Sequence, residues 1–191
     1  PQPGPGQVLV RTEATGVNFI ETYQRSGVYP VDLPFVPGTE AVGVIEATGP
    51  DVDLDGLGLR VGARAATCQA SGTYAERFLV DAQKLVAVPE HLDTRTAACL
   101  PLQGITAQYL SRSAVPVRPD QTAVVLAGAG GVGGLLIQLL KHICAEVIAT
   151  ASTEQKREIA REHGADHVLS YEGFDERVRE LTDGRGADVV Y

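Results

Sequence analysis

The chain has 191 residues, 24 of them acidic against 16 basic, for a formal net charge of −8. That balance speaks against a general nucleic-acid or anionic-membrane surface and leaves only local basic pockets. No apolar run approaches the roughly 20 residues of a membrane span and no signal peptide is visible, so a cytoplasmic enzyme is expected.

The three cysteines, Cys68, Cys99 and Cys144, lie far apart with no C-x-x-C pair, so neither a disulfide framework nor a zinc ribbon is indicated. Cys99 sits among Ala97, Ala98 and Leu100, and Cys144 closes an apolar helical stretch. Both are expected as buried core thiols.

In chain order, Gln7 to Glu13 has the composition of a strand ending at Ala14-Thr15-Gly16, followed by Val17-Asn18-Phe19-Ile20-Glu21. Pro30, Pro34 and Pro37 break regular structure up to Gly38-Thr39-Glu40. A second strand is predicted over Ala41 to Thr48, an acidic surface loop over Asp51 to Leu59, and a third strand over Val61 to Ala66. Tyr74, Glu76, Phe78 and Val80 fall on one face of a further strand. Together these short strands predict a small β-rich domain. From Asp93 the periodicity turns helical, through Ala97, Ala98, Leu100, Leu102, Ile105, Thr106 and Tyr109, with an interruption expected at Pro101. The domain boundary falls within residues 93–120, giving a catalytic domain over 1–95 and a nucleotide-binding domain over 96–191.

The second domain opens on an apolar run, Ala123 to Ala127, that leads into Gly128-Ala129-Gly130-Gly131-Val132-Gly133. This matches G-x-G-x-x-G. A helix face (Val132, Leu135, Leu136, Leu139, Ile143) and a strand (Glu146 to Thr150) follow, so the glycines sit in the strand–turn–helix–strand context that a bound pyrophosphate needs. Side-chain-free backbone lets the phosphates approach, and the helix N-terminus offers N–H groups; the plain alternative is a tight helix–sheet contact. Ser152-x-x-Gln155 has the form of a capping box for a helix through His163, ended by Gly164. A strand over Asp166 to Ser170, a short helix marked by Phe174, Val178 and Leu181, and a strand over Ala187 to Tyr191 complete a parallel, doubly wound α/β pattern. The absence of an initiator Met, the Pro/Gly-rich start and the final strand-like residues lead us to expect a fragment.

Several stretches together resemble the zinc-free quinone oxidoreductases, the zeta-crystallin-like branch of the medium-chain dehydrogenase/reductase superfamily. They are Gly16-Val17-Asn18-Phe19-Ile20, Tyr23-Gln24-Arg25-Ser26-Gly27, Tyr29-Pro30, Pro37-Gly38-Thr39-Glu40, Leu100 to Ala107, Gly130 to Gly133 and Gly164-Ala165-Asp166. The resemblance implies a GroES-like catalytic domain followed by the first half of a Rossmann domain that binds NADPH, and a homodimer when full length. Zinc-dependent relatives place a Cys and a His where this chain has Val17-Asn18 and Gly38-Thr39-Glu40, and carry a four-cysteine lobe that here shrinks to a link holding Cys68, so no metal is expected. Gly62-Ala63-Arg64 departs from the family, in which the middle residue is usually acidic.

NAD-specific Rossmann domains end their second strand on a carboxylate that holds the ribose 2′-OH and would repel a 2′-phosphate. This chain has Thr150-Ala151-Ser152 there, then Lys156 and Arg157, which favours NADPH. By resemblance, Ser152, Lys156 and Tyr171 contact the 2′-phosphate, Gly130, Gly131, Val132 and Gly133 hold the pyrophosphate, and Thr106 touches the nicotinamide ribose. The structural alternatives are an N-cap for Ser152, a solvated lysine, a tyrosine covering a sheet edge, and a helix-interior hydroxyl for Thr106. Without a metal, negative charge developing on an acceptor oxygen needs hydrogen-bond donors. Asn18, Tyr23 and Tyr29 are the catalytic candidates, and packing under the Pro-rich loop is the alternative for the tyrosines. His91, His142, His163 and His167 show no ligand spacing. The expected acceptor is a small quinone or enone. The competing readings are a 2-enoyl thioester or polyketide enoyl reductase and a noncatalytic NADPH- or RNA-binding crystallin-like protein.

Overall fold

In the computed structural model of the protein, which describes residues 1–143 and 145–191, Val8 and Val10 are fully buried while Arg11 between the sheet strands is exposed. That alternation is the period of two of a half-buried strand. They belong to β1 (Gln7–Thr15), which pairs antiparallel with β2 (Ala41–Thr48) on one side. With β3 (Arg64–Thr67), β4 (Arg77–Asp81) and β5 (Val86–Ala87) they form a five-stranded antiparallel sheet in the order β4-β1-β2-β3-β5. This sheet is the heart of the first of two units, Pro1–Leu102 and Gln103–Tyr191. Cys144, expected as a core thiol, lies outside the described residues.

One face of the sheet packs Val8, Val10, Ile45, Phe78 and Val80 against Leu54, Leu59 and Leu85, and Val42 and Ala66 meet Ala97 and Ala98 in a second cluster. Two strand predictions shift. β3 begins at Arg64 rather than Val61, because Gly62 turns at φ 85° just before it and leaves Val61 exposed. Tyr74 and Glu76 stand outside β4, while Phe78 and Val80 face the core as expected.

Helix α1 (Phe19–Ser26) was not predicted. Its start is marked by Asn18 at the N-cap and Glu21 three residues on, whose Oε2 accepts from the Asn18 N–H at 2.7 Å. Gly27 ends it in the left-handed region, φ 78°. Helix α2 (Thr94–Gln108) runs straight through Pro101, which was expected to interrupt it. Ala97 and Ala98 are buried on α2, but Cys99 is exposed, contrary to the expected core position. One residue further round a helix is about 100° of rotation, enough to leave the face that its two neighbours share.

In the second unit, β6 (Thr122–Val125), β7 (Glu146–Thr150), β8 (His167–Leu169) and β9 (Val189–Val190) form a parallel sheet in the order β8-β7-β6-β9. Ala123, Val125, Val147 and Ala149 pack on Leu136, Ile137 and Leu140 of α3 (Gly131–His142) and Ala160 of α4 (Glu154–Glu162). Val124 and Ile148 pack on Val178 of α5 (Phe174–Leu181) from the other face. Burial on both faces explains why these strands read as continuous apolar runs rather than alternating ones. The strand order, 3-2-1-4 in chain order, is that of the first half of a Rossmann domain.

One capping prediction moves. The N-cap of α4 is Thr153, whose hydroxyl accepts from Lys156 N–H at 3.3 Å, not Ser152. This register places Glu154 in the first turn, where the helix dipole favours an acid, and leaves Ser152 exposed outside the cap.

Candidate functional site

The turn between β6 and α3 gives each glycine a separate task. A Cβ on Gly128 would lie 2.8 Å from the Ala149 side chain, and one on Gly133 would lie 2.4 Å from the Ala127 carbonyl oxygen. Both glycines therefore allow the helix to close on the sheet. Gly130 is exposed, and a Cβ there would meet only the Ala127 oxygen, at 3.1 Å. This is the position where an outside group can reach the backbone. Gly130 N–H closes the turn onto Ala127 O at 2.8 Å, so the amides of Gly131, Val132 and Gly133 are the ones that a helix start leaves without intrahelical acceptors. No acid stands in the first turn of α3, and Lys141 and His142 close its last turn, so the helix dipole stays available to an anion.

The expected cofactor residues all lie in the second unit. Gly131 is exposed; Val132 packs its side chain on the core, and Gly133 is buried, so these two have backbone to offer rather than side chains. Tyr171 is 46% exposed, and its hydroxyl accepts from the Ala127 N–H at 3.1 Å, bracing a residue held at φ 52°. Ser152 and Lys156 are exposed beyond the end of β7, and Lys156 has no ion-pair partner among the described residues. The nearby acid, Glu154, is engaged by Arg157 and Arg161, each at 2.8 Å. The hydrogen bonds from Arg161 and then Arg157 hold its carboxyl below the usual glutamate range. Thr106 is half-buried in α2. Gln103, which sequence reasoning passed over except as part of a motif, lays its amide over Gly131: a Cβ there would be 2.1 Å from Gln103 Oε1.

The first unit holds the other candidates. Asn18 starts α1, Tyr23 lies on it, and Tyr29 follows it. The Tyr23 and Tyr29 rings meet edge to face at 5.4 Å, Phe19 stacks on Tyr23 at 6.3 Å, and Tyr29 N–H donates to Tyr23 O at 3.2 Å. Tyr23 is 40% and Tyr29 51% exposed, so neither fills the core. Behind Asn18 lies a group absent from the predicted site: the buried carboxylates of Glu21 and Glu40. Glu40 accepts from Asn18 Nδ2 and from Leu102 N–H, both at 2.8 Å, and Glu21 accepts from Thr39 Oγ1 at 3.2 Å. Burial and then the Glu40 charge push the Cys68 thiol above its ordinary value, and burial with Glu21 and Glu40 does the same to the Tyr74 phenol.

Among the described residues, no group of three or more His, Cys, Asp and Glu side chains gathers closely enough to hold a metal ion, and no helix is long and apolar enough to cross a membrane.

Comparison with known proteins places this geometry. The alcohol dehydrogenase GroES-like domain family matches residues 4–90, and the zinc-binding dehydrogenase family matches residues 131–191. A quinone oxidoreductase of Pseudomonas aeruginosa is 41% identical over 193 residues, covering 100% of this chain and 58% of that protein. Along its whole length the chain is similar to quinone oxidoreductases of the medium-chain dehydrogenase/reductase superfamily. A 2-haloacrylate reductase of a Burkholderia species is 43% identical over 198 residues, covering 99% of this chain and 58% of its own length. The native structure of a mycobacterial protein complexed with NADPH superposes with a TM-score of 0.95 at 46% identity, covering all of this chain and 60% of that one. The chain thus spans about three-fifths of the length of these proteins. The GroES-like and Rossmann units of the family correspond to the antiparallel and parallel sheets described above.

Proposed function

We propose that this chain is the acceptor-binding unit and half of the cofactor unit of an NADPH-dependent, zinc-independent reductase of quinones or similar conjugated carbonyls. The observation that carries the reading is the nucleotide side of the second unit. A glycine turn open at Gly130 leads to a strand end without a carboxylate, where Ser152 stands exposed beside Lys156, which has no ion-pair partner among the described residues. An anionic 2′-phosphate suits that end and a bare ribose does not need it.

The residues present fit NADPH. The amides of Gly131, Val132 and Gly133 would hold its pyrophosphate, Lys156 and Ser152 its 2′-phosphate, with Tyr171 beside them and Thr106 toward the nicotinamide ribose. When bound, NADPH supplies the hydride. The chain's own residues bind and orient the acceptor: Tyr23 and Tyr29 offer flat apolar faces, and their hydroxyls and the Asn18 amide donate hydrogen bonds to an oxygen that gains negative charge. Val17-Asn18 and Gly38-Thr39-Glu40 stand where zinc-dependent relatives carry a Cys and a His, and the Asn18 amide nitrogen already donates to Glu40, which supports chemistry without zinc. The homodimer implied by the resemblance and the cytoplasmic location expected from the sequence belong to the same proposal.

The likeness to a 2-haloacrylate reductase favours a second reading, in which the acceptor is an activated C=C bond and the donors address its conjugated carbonyl. Turnover of a planar quinone against a 2-enoyl thioester and 2-haloacrylate, with NADPH and the full-length protein, separates the two. Quinone turnover at the highest kcat/KM is the expected result; no turnover of any quinone would end the first reading.

A further inference from the structure

We propose that Glu40 is a positioning residue for Asn18: its carboxylate sets which way the Asn18 amide faces and so presents one N–H outward as a hydrogen-bond donor. The inference rests on the reading of Asn18 as a donor to the acceptor oxygen, and it concerns how the protein makes that donor.

Glu40 is 1% exposed, and both of its carboxylate oxygens are occupied. Oε1 accepts from the Leu102 N–H and Oε2 from Asn18 Nδ2, each at 2.8 Å. The surroundings are shaped for this group. A Cβ on Gly16 would come within 2.2 Å of Glu40 Oε2, so only glycine leaves room for it. A Cβ on Gly38, at φ 102°, would lie 2.3 Å from the Thr73 hydroxyl, which in turn donates to Glu40 O at 3.2 Å. Pro101 carries no N–H, and the Leu102 N–H next to it donates to the carboxylate. The Gly-Val-Asn, Pro-Gly-Thr-Glu and Leu-Pro-Leu segments, distant in sequence, thus meet at one carboxylate.

A carboxylate only accepts, whereas an amide has one accepting and one donating end. Asn18 must therefore turn its nitrogen toward Glu40. The helix start asks for the same orientation: Asn18 and Glu21 form a capping box whose firm arm is Asn18 N–H to Glu21 Oε2, and whose looser arm brings the Glu21 N–H to the Asn18 side chain. With one N–H on Glu40 and the oxygen facing the cap, the second N–H of Nδ2 is the group left for a ligand. A glutamine at position 40 has a single oxygen for two donors. The Leu102 N–H is fixed in the backbone and the Asn18 amide is not, so the amide flips and offers its oxygen to the acceptor instead.

The test is a double-mutant cycle on the full-length protein, reading quinone turnover and NADPH affinity. Asn18→Ala is expected to lower kcat by roughly 10²-fold or more, as for loss of one donor at a developing oxyanion. Glu40→Gln should lower kcat by about 10²-fold through misplacement of that donor, with NADPH affinity and melting temperature unchanged. The double variant should match Asn18→Ala within about twofold, the usual error of such cycles. Multiplicative losses, or a normal kcat for Glu40→Gln beside a slow Asn18→Ala, would overturn the positioning role alone. A normal kcat for Asn18→Ala would overturn the donor reading and this inference together. Should Glu40→Gln not fold, or no quinone be turned over, the wild-type side-chain amide of Asn18 decides by ¹⁵N NMR. One of its two protons is expected shifted downfield and slow to exchange; two protons exchanging like a surface asparagine would refute the proposal.

Discussion

The two units use glycine for opposite ends. In the first, Gly16 and Gly38 are pressed against Glu40 and the Thr73 hydroxyl, closing space around an anion that the chain itself supplies. In the second, Gly128 and Gly133 close the helix onto the sheet so that Gly130 can stay open to an anion from outside. The donors follow the same division. Asn18 N–H, Asn18 Nδ2, Thr39 Oγ1 and Leu102 N–H are all turned inward to Glu21 and Glu40, while the first amides of α3 have no acid in their turn. The lesson is that a chain can prepare an acceptor unit by saturating its own charges and a cofactor unit by leaving backbone donors unsaturated.

The largest expected break in this contrast comes from giving the second unit an anion of its own. Gly130→Asp would put a Cβ 3.1 Å from the Ala127 oxygen, a contact that a small shift relieves, so the fold should persist with a modest change in melting temperature. It places a carboxylate where the pyrophosphate belongs, and like-charge juxtaposition costs several kcal/mol. NADPH affinity of the full-length protein should fall by at least about 100-fold, by fluorescence titration. A smaller effect sharpens the internal side. Burial and the Glu40 charge both raise the Cys68 thiol, so thiolate is scarce at neutral pH and alkylation quickens as pH rises. Removing the charge with Glu40→Gln takes away the second cause but leaves burial, so the Cys68 value moves down part of the way. Alkylation of the Cys68 peptide at pH 8, followed by mass spectrometry, should speed up severalfold; an unchanged rate would mean that Glu40 carries no charge felt at Cys68.

The same contrast explains what was legible in the sequence. The cofactor unit is built from neighbours in the chain: strand, glycines, helix and strand follow one another, so the G-x-G-x-x-G pattern with its flanking apolar runs carried the architecture and pointed to the candidate site. The acceptor unit is built from residues far apart. Asn18 and Glu40 are 22 positions apart and Glu40 and Leu102 are 62 apart, and no local pattern announces such contacts. Helix α1 escaped for a related reason. Val17, Phe19 and Tyr23 are 73%, 78% and 40% exposed, so the stretch has no buried apolar face to generate a helical period. Only Asn18-x-x-Glu21, a capping signature, marked its start. Pro101 misled because a proline in mid-helix usually ends it; here the helix continues through it and the adjacent Leu102 N–H meets Glu40. Cys99 misled because its apolar neighbours share a face that it does not.

The most direct test of the central claim is calorimetric titration of NADPH and of NADH into the full-length protein and into its Lys156→Ala variant. The wild type is expected to prefer NADPH by at least about tenfold, the scale of a charge-assisted hydrogen bond to phosphate, and to lose most of that preference without Lys156. A wild-type preference for NADH, or a preference for NADPH that survives Lys156→Ala intact, would contradict the claim.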